Sequence, residues 1–128
     1  MPVYAQLAAD FETPVSAYVK ISGNGEAFLF ESAESTGESG RYSILGNNPR
    51  AVIKAEGLDI THQENGETRT WTAKNDILDE LEKLMAKYRP APHGDAPPFY
   101  GGAVGYLSYD AVRQFEPSIG PATKDELG

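Results

Sequence analysis

The dipeptide Asn65-Gly66 constrains this chain more than any other feature. A two-residue type I′ turn needs positive φ at both central positions, which asparagine tolerates and glycine adopts freely. Its backbone twist matches that of the flanking strands, so Asn-Gly between alternating segments predicts an antiparallel hairpin. Leu58 to Gln63 alternates on one side, and Glu67 to Thr72 follows on the other. With the turn at 65–66, Glu64 pairs with Glu67, His62 faces Arg69 and Ile60 faces Trp71. An aromatic opposite a β-branched residue contributes about 0.2–1 kcal/mol over an alanine pair. Gly57 permits a second turn, and Ala51 to Glu56 then adds a third strand to make a meander.

Helix and strand signals flank the meander. Thr13 can cap a helix whose first turn holds Pro14, where no amide donor is needed. Val15, Tyr18, Val19 and Ile21 fall near one helical face and Gly23-Asn24-Gly25 stops it, although the β-branched content keeps a strand as the competing reading. Ala27-Phe28-Leu29-Phe30 is an apolar run of strand length, with Phe28 and Phe30 on one side and Leu29 and Glu31 on the other. A polar, glycine-bearing loop over 33–40 follows, and Arg41 to Leu45 reads as a strand closed by Gly46-Asn47-Asn48-Pro49.

Asn75 to Tyr88 predicts the clearest helix. Ile77, Leu78, Leu81, Leu84, Met85 and Tyr88 give one wide apolar face, with Leu81 and Leu84 expected to be nearly fully buried. Asn75 is the expected N-cap; Asp76, Asp79 and Glu80 crowd the positive end, and Lys83, Lys87 and Arg89 the negative end. Pro90 terminates it, and the proline-rich stretch to Pro98 reads as a connector. Gly102 to Leu107 reads as a buried strand whose glycines admit a close neighbour, Asp110 to Phe115 as a short helix, and Pro117 onward as loop. These elements predict an α+β fold, mostly antiparallel sheet with a few packed helices.

Composition excludes several functions. At 128 residues the chain fits one domain. Eleven Lys and Arg against nineteen Asp and Glu give a formal net charge of -8, opposite to the basic footprint of nucleic-acid binding and poorly suited to an anionic membrane. No apolar run approaches the ~18 residues of a membrane span. The absence of cysteine excludes a disulfide scaffold and thiolate metal sites. Met1-Pro2-Val3-Tyr4 does not open a secretory signal, and Lys124-Asp125-Glu126-Leu127 is followed by Gly128, so it does not read as an ER-retention signal. A cytoplasmic location is expected.

No catalytic constellation emerges from residue types and spacing. His62 and His93 are not at metal-ligand spacing with Asp or Glu. No G-x-S-x-G motif occurs, and Gly102 and Gly105 match neither the P-loop nor the dinucleotide fingerprint. Glu31 and Ser32 are different: they end an apolar strand, and a carboxylate with a hydroxyl suits the ammonium of a zwitterionic ligand. On residue types alone, the competing reading that they merely begin a solvent loop is favoured.

Four segments shift that balance: TPVSAYVKIS at 13–22, FLFESAE at 28–34, GRYSILG at 40–46 and FYGGAVGYLSYDAVRQFE at 99–116. In this order they resemble the N-terminal region of component I of anthranilate synthase, a family of chorismate-using enzymes of tryptophan biosynthesis. Component I of para-aminobenzoate synthase has a similar N-terminal region, but the FES and YDAVRQFE segments look more like the anthranilate enzyme. The resemblance implies that Glu31 and Ser32 belong to a feedback pocket for L-tryptophan, and that Arg41, Tyr42 and Ser43 stand beside it as wall residues. It also implies that chorismate and Mg2+ are held by a long C-terminal portion absent here, and that a glutamine amidotransferase subunit, component II, supplies ammonia. The chain is then expected to be an incomplete part of a larger α/β sandwich, inactive by itself, with no cofactor of its own. A stand-alone amino-acid-binding module and a structural remnant that binds nothing alone remain open alternatives.

Overall fold

In the computed structural model, the described residues are 3, 5–31, 42–89 and 99–120. They divide between two compact units, one comprising Met1–Arg50 with Ala91–Gly102 and the other Ala51–Pro90 with Ala103–Gly128.

The first unit begins with helix α1, Pro14–Ser22. Thr13 caps it as the sequence implies: its Oγ1 accepts the Ser16 amide at 3.1 Å, and Ser16 Oγ accepts the Thr13 amide at 2.9 Å. Pro14 occupies the first turn, and the chain leaves the helix through Gly23. Lys20 pairs with Glu12 across this helix start, and that pairing, then the Ser16 hydroxyl, holds the Glu12 carboxyl below its ordinary range. Strands β1 (Ala27–Phe30) and β2 (Ile44–Asn47) form an antiparallel pair. The expected strand Arg41–Leu45 is thus displaced toward Asn47, because pairing with β1 begins only at Ile44 and runs through Gly46. Asn47 reaches back to α1, its side-chain amide donating to the Ile21 carbonyl.

In the second unit, β3 (Ala51–Glu56), β4 (Asp59–Glu64) and β5 (Glu67–Thr72) make the expected meander, with β4 central. Every predicted β4–β5 pair is present: Ile60↔Trp71, His62↔Arg69 and Glu64↔Glu67. Asn65 and Gly66 have φ of 52° and 81°, as a type I′ turn requires. Ile60 is 1% exposed, and Ala73 and Ala111 complete the buried set among the described residues.

Helix α2 spans Ile77–Met85, shorter at both ends than the sequence implies. Asp76, not Asn75, is its N-cap: the Asp76 carboxylate accepts the Asp79 amide at 2.8 Å, while Asn75 donates its side-chain amide to the Asp79 carboxylate. Beyond Met85 the chain tightens into three-residue hydrogen bonds, Lys87 to Leu84 and Tyr88 to Met85, before Pro90. Leu81 and Leu84 are half-buried instead of fully buried. A three-stranded sheet and one nine-residue helix offer too little apolar surface to enclose both leucines.

The largest departure lies at Gly102 to Leu107. These residues form no strand, and every residue from Phe99 to Asp110 is exposed. A strand needs a ladder partner for its amides and carbonyls, and no described strand supplies one here. The short helix expected at Asp110 to Phe115 is present as a 3-10 turn, Tyr109–Ala111, running into α3, Val112–Phe115. Pro117–Ile119, expected as loop, makes a further 3-10 turn. The connector Pro90 to Pro98 and most of the loop after Glu31 lie outside the described residues. The whole is an α+β arrangement of helices and two small antiparallel sheets.

Candidate functional site

The register of β1 and β2 governs which expected site residues meet. Its last pair is Phe30↔Ile44. Glu31 follows Phe30 and Ser43 precedes Ile44, so both flank the same open end of the ladder. Directly opposite residues of an antiparallel pair stand about 4.5–5.5 Å apart. Tyr42 lies one residue further out on the β2 side of that end and is half exposed. Ser32 and Arg41 lie outside the described residues.

Strand alternation sorts the paired side chains onto two faces. Phe28 and Phe30 share a face with Gly46 and Ile44. Leu29 pairs with Leu45 on the other face, and Glu31 and Ser43 lie just beyond the paired residues. The second face carries two half-buried leucines, and an exposed carboxylate and an exposed hydroxyl follow at its open end. A carboxylate accepts hydrogen bonds from an ammonium, a hydroxyl donates or accepts, and the leucines offer apolar contact. This arrangement suits a small cation-bearing molecule with an apolar portion.

Other polar clusters among the described residues are satisfied locally. Trp71 Nε1 donates to Glu80 at 3.0 Å, and Lys83 donates to the same carboxylate at 2.6 Å. Lys83 first, then Trp71, holds the Glu80 carboxyl below its ordinary range, and Glu80 in turn raises Lys83. A shallow depression of about 130 Å³ near the β4–β5 turn is lined by His62, Glu64, Asn65, Glu67 and Arg69, none of them an expected site residue. Within it, Arg69 and Glu67 pair at 2.8 Å. Among the described residues no three His, Asp or Glu side chains converge to hold a metal ion.

Two structurally decisive residues escaped the sequence reading. Gln114 accepts the Ile77 amide at 3.2 Å and donates to the Gly57 carbonyl at 2.8 Å, tying α3 to the start of α2 and the β3–β4 turn. A lone glutamine in a four-residue helix carries no sequence signal for such a role. Gly46 lies inside β2, not in the turn after it, and the Phe28 ring packs across it. A glycine within an apolar strand-like run is itself a sign of close approach by a neighbour.

Comparison with known proteins adds the decisive observation. The chain is 39% identical over 121 residues to anthranilate synthase component 1 of Synechocystis, covering 93% of this chain and 23% of that enzyme. It is 38% identical over 135 residues to the Saccharomyces cerevisiae enzyme of the same name, covering 98% of this chain and 24% of that protein. This chain resembles the N-terminal region of anthranilate synthase component 1. The component 1 of Thermus thermophilus is also 39% identical, over 133 residues, covering 99% of this chain and 26% of that enzyme. The chain spans about a quarter of the length of the curated component 1 relatives it matches. No family model matches the chain. No solved structure matches it. Among the described residues, no helix is long and apolar enough to cross a membrane.

Proposed function

We propose that these residues form the N-terminal regulatory region of an anthranilate synthase component 1 and contribute to a feedback site for L-tryptophan. The observation that carries this reading is the similarity, across nearly the whole chain, to component 1 enzymes from a cyanobacterium, a yeast and a thermophilic bacterium. The complete enzyme, a cytoplasmic lyase, converts chorismate and glutamine-derived ammonia to anthranilate and pyruvate. Ammonia comes from a glutamine amidotransferase, component 2, and chorismate and Mg2+ are bound by the portion this chain lacks. These residues alone do not catalyse the reaction.

The chemistry of the β1–β2 end supports the effector assignment. Tryptophan is a zwitterion with a large apolar side chain, and Glu31 and Ser43 lie beyond Leu29 and Leu45 at the open end of the ladder. In this reading Glu31 and Ser32 accept hydrogen bonds from the effector's ammonium, with Arg41, Tyr42 and Ser43 beside them. Losing a hydrogen bond to a charged group costs about 1.5–3 kcal/mol, roughly ten- to a hundred-fold in affinity. Ser32→Ala in the complete enzyme is expected to keep chorismate turnover while raising the tryptophan needed for inhibition by that factor. An inhibition curve untouched by Ser32→Ala refutes the residue assignment.

A further inference from the structure

We infer that Phe28 and Gly46 act as positioning residues that lock the β1–β2 register, and thereby fix where Glu31 and Ser43 stand at the open end of the ladder. The inference rests on the reading of that end as an effector site. Phe28 is directly opposite Gly46. Its ring lies across the glycine so closely that a β-carbon at Gly46 would meet Phe28 Cε1 at 2.6 Å and Cζ at 3.0 Å. Any larger residue at Gly46 must displace the ring or the strand.

Two neighbours bear on how the pair can give way. Toward Glu31, the Phe30 ring stands 5.5 Å away, centroid to centroid and tilted by 45°. On the other strand, Asn47 is tied to α1 through the Ile21 carbonyl. A shift of the strand is carried along the ladder, whose next same-face pair is Phe30↔Ile44 and beyond which Glu31 and Ser43 follow. Side chains alternate with a period of two, so a one-residue slip moves Glu31 from one face to the other. Even a small splay separates a carboxylate and a hydroxyl that have to reach one ligand. An aromatic ring covering a glycine across the strands is an established means of pinning register in designed sheets.

The test uses the complete component 1 carrying these residues, with Gly46→Ala, Phe28→Leu and the Phe28→Leu/Gly46→Ala pair. The half-inhibiting concentration of L-tryptophan is measured beside kcat and KM for chorismate. Gly46→Ala should raise that concentration about tenfold, equivalent to about 1.4 kcal/mol, while kcat and KM stay within about twofold. Phe28→Leu should raise it about threefold, because the ring lying across Gly46 is lost, and the double variant should be no worse than that single change, because leucine lacks the Cε1 and Cζ atoms that meet the added carbon. A sensitive parent enzyme with unchanged inhibition in Gly46→Ala overturns this inference alone, as does a double variant no better than Gly46→Ala. Should Gly46→Ala fail to fold, the double variant is compared with Phe28→Leu; equal responses support the inference, and a tenfold weaker response overturns it. A parent enzyme indifferent to tryptophan overturns the effector reading and this inference with it.

Discussion

Strands β3, β4 and β5 are joined by two-residue turns, whereas the connection between β1 and β2 runs from Glu31 to Ser43. The meander pairs six residues on each strand and encloses Ile60 at 1% exposure, while β1 and β2 pair four and enclose no fully buried residue. The difference lies in what specifies register. In the meander, backbone geometry at Gly57 and Asn65-Gly66 sets it locally, and burial of Ile60 then favours one face. In the β1–β2 pair, contacts between distant positions must do that work: Phe28 across Gly46, and Asn47 to the end of α1. The sheet specified by distant contacts is also the one that carries the candidate ligand site.

The most severe challenge to this contrast is Ile60→Ala. Removing the one fully buried large side chain among the described residues should cost about 2–5 kcal/mol, read as a lowered urea midpoint. A cost under about 1 kcal/mol would mean the meander does not depend on that core. Gly46→Ala should cost about 1–3 kcal/mol by overpacking against Phe28. A negligible shift in its unfolding curve would remove the claim that long-range packing holds β1 to β2. Gly66→Ala comes next, at about 1–2 kcal/mol, because a β-carbon is strained at its φ of 81°. An equal loss from substituting Gly25, where no positive φ is required, would break the turn argument.

The smallest effect concerns pH. Glu80 is held below its ordinary range by Lys83 and Trp71, so its folded form binds protons less readily than the unfolded chain. Its stabilising contribution is complete above the unfolded carboxylate value, ~4.3, and is lost as pH falls through the lower folded value. Trp71, the single tryptophan, reports this through its bond to Glu80. An acid titration of its fluorescence should show a transition below the ordinary carboxylate range that Glu80→Gln removes. Persistence of the same transition in Glu80→Gln would assign it to another group.

Particular residues show why the sequence revealed some parts and concealed others. Thr13-Pro14 and Asn65-Gly66 act on their own backbone, and each element they announce is present where expected. Asp76 displaced Asn75 because neighbouring capping residues compete for the same amides, a contest decided by a single residue of helix register. Periodicity predicts full burial of Leu81 and Leu84, but it reports which face is apolar and not how much partner surface exists to cover it. Gly102 to Leu107 has strand-like residues without a described strand to pair with. At the candidate site, the types of Glu31 and Ser32 hint at a ligand, yet only the Phe30↔Ile44 pair brings Glu31 and Ser43 to one end of the ladder.

In the proposed function these residues supply part, and only part, of a tryptophan-responsive site in component 1. Calorimetric titration of L-tryptophan into this chain and into a complete component 1 containing it tests that claim most directly. The complete protein should bind with measurable heat, and this chain alone should show no binding in the micromolar range, because the proposal has most of the enclosing surface supplied elsewhere. Micromolar binding by this chain alone would contradict the account and identify it as an amino-acid sensor in its own right.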